Sequence, residues 1–178
     1  MIEVQEIETF AKRFQLTKTL QVLEKPNISY KEIFEKAFQD IGSVSLLFDI
    51  IMKSGIHRLI YQFAVSFEID EARMKRVVIF FSRNLEDSLW LTILIKEKSN
   101  SMSEDLLDTA LDYAVLRKDL VIMYDIARYT DNLNPDQKRR LVVAMSQKVD
   151  DVSWETAIFR DVSWLTEEDK KFFWNQTE

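Results

Sequence analysis

Residues 109–128, "TALDYAVLRKDLVIMYDIAR", decide the architecture. They are either one helix or one unit of a repeated two-helix device. Asp119 stands directly before an apolar-periodic run, the position of a helix N-cap. There a carboxylate accepts from a free backbone N–H of the first turn. The stretch therefore reads as two helices broken near Arg117 and Lys118, with Asp119 opening the second. Ala114 is small and sits where two helices can approach closely.

Shifting the chain against itself by about 32 residues shows relatives of this stretch. Three segments align without gaps: "NLEDSLWLTILIK" (84–96), "LRKDLVIMYDIAR" (116–128) and "KVDDVSWETAIFR" (148–160). Asp87, Asp119 and Asp151 coincide as caps. Trp90, Ile122 and Trp154 coincide next, and Leu94, Ile126 and Ile158 follow one turn further on the same helix face. Lys96, Arg128 and Arg160 close each segment, where a cation favours the negative end of a helix. In the preceding helices Val78, Ala110 and Val142 align, as do Phe81, Tyr113 and Met145, and the small residues Ser82, Ala114 and Ser146. A hydrophobic face alone would make any helical chain self-align. The coincident cap, small residue and cation ask for more than that.

Composition points the same way. Of 178 residues only two are Gly and two Pro, which leaves little material for hairpins or Gly-rich loops. The chain is 47% hydrophobic and 30% charged, so it can bury a core and is not of the disordered class. Helix starts are frequent. Ser29–Glu32 and Ser101–Glu104 fit a capping box, Asn134-Pro135 places Pro at a first helical position, and Thr166–Asp169 opens a last helix. Asp70 is a further cap, and Lys25-Pro26-Asn27 marks a break. Helices are expected near 3–13, 17–24, 30–41, 44–54, 56–66, 70–84, 87–97, 103–116, 119–129, 135–148, 152–160 and 167–175. Short connections force neighbours into antiparallel pairs. The expected fold is all-α, a single domain of stacked antiparallel helical hairpins, α-solenoid-like, with an irregular helical bundle as the alternative. Residues 1–66 supply N-terminal helices, 69–160 the repeat-like hairpins, and 161–178 a helix that caps the stack.

The opening stretch also resembles an ankyrin-type repeat. Thr109-Ala110-Leu111 matches that family's opening, Ala114 its small residue, and Leu120-Val121 and Ile126-Ala127 fall near its apolar pairs. "DIIMKSGI" (49–56) is similar to the end of such a repeat, with Gly55 at its turn glycine. The likeness covers one unit and extends loosely over 69–160. Asp112 stands where the family usually has His, and Arg117-Lys118 where it has an Asn-Gly-like turn. The resemblance, to that family or another α-solenoid type, implies binding of another protein through loop tips and the inner helix surface. Lys98, Tyr129 and Asn132 are the loop-tip candidates.

Chemistry is sparse. There is no cysteine, so thiolate nucleophiles, disulfides and thiolate metal sites are excluded. His57 is the single histidine and lies at a helix start, without a nucleophile context. Two glycines cannot build a phosphate-cradling loop. Asp105, Asp108 and Asp112 form one helical stripe that could offer oxygen ligands to a hard cation, against the plainer reading of a solvated acidic face. The formal net charge of −6 disfavours phosphate-backbone binding. Two basic groups remain, Arg73/Lys75/Arg76 and Lys138/Arg139/Arg140. A helix-turn-helix over 70–97 would make its second helix the apolar "LWLTILI", which cannot read base edges. Near the C-terminus Trp154, Phe159, Trp164, Phe172, Phe173 and Trp174 form a dense aromatic group. They either bury against the stack or anchor a partner, and Trp164, Phe172 and Trp174 are the candidates for the second role.

The expected function is a non-catalytic protein–protein interaction module: an adaptor, inhibitor or assembly factor. It would need no cofactor and would be intracellular and cytoplasmic, with another protein, or a second copy, as partner. A carboxylate-dependent metal enzyme on the Asp105 helix is the alternative, and a nucleic-acid-binding regulator a third. With no apolar stretch long enough to span a bilayer, no membrane partner is expected.

Overall fold

The computed structural model describes residues 3–83, 88–149 and 152–175. Among these the protein is all-α: twelve α-helices, one 3-10 turn and no strand. Every expected helix is present, with ends displaced by at most two residues. The chain divides into two compact units, Met1–Ile69 and Asp70–Glu178.

The first unit holds α1 (Val4–Arg13), α2 (Thr17–Val22), α3 (Tyr30–Ile41), α4 (Val44–Ser54) and α5 (His57–Ser66). The turn after α1 passes through Gln15 at φ 57°, and the Leu16 N–H reaches back to Ala11 O at 2.8 Å. Helix α2 has no cap of its own. Asp40, at the end of α3, accepts instead from the Lys18 and Thr19 N–H groups at 3.0 and 3.4 Å. Ser29 and Glu32 form the expected capping box on α3. Gly42 at φ 76° and Gly55 at φ 69° end α3 and α4 in the left-handed region, where a side chain is unfavourable. Phe34, Phe48 and Phe63 are buried. The Phe63 ring meets Phe34 edge-on at 5.2 Å and stacks on Phe67 at 4.6 Å. His57 begins α5 and is half-buried.

The second unit contains the residues expected to form the repeat-like hairpins and the helix after them. It holds α6 (Glu71–Ser82), α7 (Ser88–Lys98), a 3-10 turn (Ser99–Ser101), α8 (Glu104–Arg117), α9 (Leu120–Tyr129), α10 (Pro135–Ser146), α11 (Val152–Asp161) and α12 (Glu167–Trp174). Helices α6 and α7 form one hairpin and α8 and α9 the next. Helix α6 packs on α8, α8 on α10, α10 on α12, and α7 on α9. Asp70, Ser103, Asn134 and Thr166 cap the four first helices at intervals of 31–33 residues. Asn134 and Thr166 complete capping boxes, and Pro135 takes the first helical position. The expected box at Ser101–Glu104 is displaced. Ser103 is the cap, accepting from the Leu106 N–H, because Ser101 is consumed in the 3-10 turn.

The opening stretch is two helices, α8 and α9. Lys118 takes φ 56°, its N–H bonds to Val115 O, and the Asp119 N–H bonds to Ala114 O at 2.9 Å. This is a Schellman-type helix end. Asp119 then caps α9, its carboxylate accepting from the Ile122 N–H at 3.1 Å. One residue thus closes one helix and opens the next. Asp87 and Asp151, expected to do the same, lie outside the described residues.

Three of the sets aligned by the 32-residue shift share their environments. Leu94, Ile126 and Ile158 are each 0% exposed, and Lys96, Arg128 and Arg160 are each exposed. Ser82, Ala114 and Ser146 are all buried. Serine can stand in for alanine there because each hydroxyl donates to its own helix, Ser82 to Val78 O at 2.7 Å and Ser146 to Val143 O at 2.9 Å. No polar group is stranded against the neighbouring helix.

Candidate functional site

Successive first helices run parallel, with N-termini side by side. Ser103 donates to Glu71, and Asn134 donates to Glu104. Charged side chains then tie each step. Lys75 on α6 pairs with Asp105 on α8 at 2.7 Å. Arg140 on α10 pairs with Asp108 at 3.1 Å and also with Asp112, and Gln137 donates to Asp108 at 3.1 Å. The acidic stripe of α8 therefore faces cations on both neighbours. It joins helices in place of gathering around a common point. Among the described residues no three carboxylate or imidazole groups cluster as a metal site requires. The hydrogen bond to Asp105 raises the Lys75 pKa. Arg73 turns to Asp70 on its own helix.

The step from α10 to α12 is different. No ion pair joins these two helices among the described residues. Between them lies a hollow of about 650 Å³. Helix α10 supplies Pro135, Lys138, Arg139, Val142 and Val143, helix α12 supplies Glu168, Asp169 and Phe172, and Trp164 and Thr166 close it. Val143 and Phe172 remain 36% and 37% exposed. The Lys138 ammonium lies 5.6 Å from the Trp164 ring centre. Asp169 is already engaged by the N–H and hydroxyl of Thr166 in the capping box. Arg139 and Glu168 are exposed and enter no ion pair among the described residues. A second hollow of about 330 Å³, lined by Val115, Asp136 and Arg140 among others, lies on the far side of the Arg139–Val143 crest.

The six residues singled out by sequence fall in three places. Trp164 and Phe172 meet in the α10–α12 hollow. Trp164 is half-buried because its indole N–H donates to Ala127 O at 2.8 Å, one of the carbonyls left over at the end of α9. Trp174 is 47% exposed, does not line the hollow, and packs edge-on against Phe159 at 5.9 Å. Its neighbour Phe173 is 2% exposed and also meets Phe159 edge-on. The aromatic group thus serves both packing and surface. Trp154 belongs to the packing, edge-on to Tyr124 at 5.6 Å.

Lys98, Tyr129 and Asn132 lie along the inter-repeat loops, with Lys98 and Tyr129 half-buried and Asn132 exposed. Those loops are cross-tied. Ser99 donates to Tyr129 O at 2.8 Å, and Asn100 and Asp131 exchange two hydrogen bonds. Lys96 and Arg128 sit 5.4 and 5.1 Å from the Tyr129 ring centre. Beside them Asp161 accepts from Arg160 and Tyr124, bonds that hold its carboxyl well below the usual range. Asp125, 7% exposed on α9, shows the opposite effect: burial pushes its carboxyl up to about 6.

No family model, curated protein or solved structure matches the chain.

Of the residues lining the hollow, Val143 and Glu168 were given no role by the sequence, and Pro135 and Val142 were read only as a first helical position and an aligned apolar position. Val143 and Glu168 carried a faint signal. Each lies one turn from a residue already marked, Arg139 and Phe172, at the spacing that places side chains on one helix face.

Proposed function

We propose that this chain is a non-catalytic protein-interaction module, an adaptor, inhibitor or assembly factor, with its docking face at the α10–α12 hollow. The observation that carries the reading is the contrast between steps of one ladder. The first two steps between parallel helices carry ion pairs, and the third leaves an apolar floor exposed between unpaired charges. Exposed aromatic and aliphatic groups ringed by charge are the usual anatomy of an interface centre. Kinship with ankyrin-type or other α-solenoid repeats belongs to the same reading, since such stacks bind partners over extended helix surfaces. The stripe Asp105, Asp108 and Asp112 supports a structural part in it, its carboxylates being engaged by Lys75 and Arg140.

The native mass of the chain in a gentle extract of cells that make it tests the proposal. The expected result is a mass well above one chain, falling to the monomer in Phe172→Ala, with the purified variant's thermal midpoint nearly unchanged. Elution of the unaltered chain as a monomer contradicts the reading.

A further inference from the structure

We propose that the occupant of the α10–α12 hollow is a second copy of this chain, docked about a two-fold axis. Arg139 of each copy then meets Glu168 of the other, across a shared floor of Val143 and Phe172. The inference rests on the docking reading above and names its partner.

The charge pattern carries it. A two-fold interface sets one surface patch against itself. A patch of single sign repels its own copy. This one carries an unpaired cation on α10 and an unpaired carboxylate on α12, with apolar side chains between. Rotation by two-fold symmetry brings the cationic wall of one copy over the anionic wall of the other, and the pair forms twice. The remaining charges of the hollow do not compete. Asp169 is held by Thr166, and Lys138 lies over Trp164. The preceding steps of the ladder show the same chemistry within one chain: a carboxylate on one helix satisfied by a cation on the next. At the third step the complement comes from the other molecule.

The test is sedimentation velocity on the purified full chain up to about 100 μM, with Arg139→Glu, Glu168→Arg and the double variant carrying both. The expected result is a reversible dimer for the unaltered chain. Each single reversal sets like charges together at two places and weakens association roughly tenfold or more. The double variant restores both pairs with reversed polarity and recovers dimerisation to within about threefold of the unaltered chain. Both side chains are exposed, so thermal midpoints report that all three variants fold. A monomeric unaltered chain overturns the proposal, as does a double variant no better than the weaker single. If the purified chain is monomeric while its native mass in extract is high, the second copy is wrong and the docking reading stands. If both are monomeric, both fall.

Discussion

Lys118 and Asp119 show how much one dipeptide can determine. Lys118 holds a left-handed backbone that costs an L residue about 1 kcal/mol. Replacing it with glycine removes that strain, and Lys118→Gly is expected to raise stability by roughly 0.5 kcal/mol in urea melts. Asp119→Ala removes the α9 cap and is expected to lower stability by about 1 kcal/mol. Asp125 makes a prediction about pH. Its folded pKa, about 6, lies above its ordinary 3.8, so the folded state holds the proton more tightly. Stability from this group is therefore greatest below pH 4 and declines as pH rises to 6. Asp125→Asn removes the titration. Its stability relative to the unaltered chain is expected to improve by about 2 kcal/mol between pH 4 and pH 7. A difference constant over that window would mean the carboxyl is not held protonated. The Asp119 cap was legible because capping is local chemistry. Asp125 was not: its neighbour Tyr124 and its own position read as an ordinary helix face, and its burial among the packed helices is a tertiary fact.

Between elements, the 32-residue spacing carries the fold. Leu94, Ile126 and Ile158 fill equivalent positions, and truncating Ile126 to alanine is expected to cost roughly 2–5 kcal/mol. Ala114 marks a close approach, so Ala114→Leu overpacks it and costs about 1–3 kcal/mol, whereas Ala114→Ser is tolerated, as its counterparts Ser82 and Ser146 indicate. Chemical denaturation of the three variants ranks them directly. The ion pairs between first helices weigh less. Lys75 and Asp105 lie within reach of solvent, where water and salt screen the pair and leave it little net weight. They set which helix lies beside which more than they hold the stack. The twelve helices were readable because caps, periodicity and scarce glycine agree. The roles of the α8 carboxylates were not, since a stripe of Asp looks alike whether it faces water, a metal or the arginine of a helix thirty residues on. The Ser101 cap failed for a related reason: two serines compete for one helix start, and the 3-10 turn selects the second.

For the whole molecule, the sequence led to the expectation of an interaction protein and to six candidate residues, two of which line the α10–α12 hollow. Trp164 and Phe172 were marked by residue type. Their meeting with Val143, Arg139 and Glu168 depends on α12 lying beside α10, which no local pattern encodes. We propose that docking is confined to this step of the ladder. Photo-crosslinking from single exposed positions, carried out in cells that make the protein, tests it most directly. Probes at Arg139, Val143, Glu168 and Phe172 are expected to give discrete protein adducts, and probes at Lys96, Asp131 and Arg160 none. Adducts concentrated at the second set, or spread evenly over both, would mean that docking is not confined to the α10–α12 step.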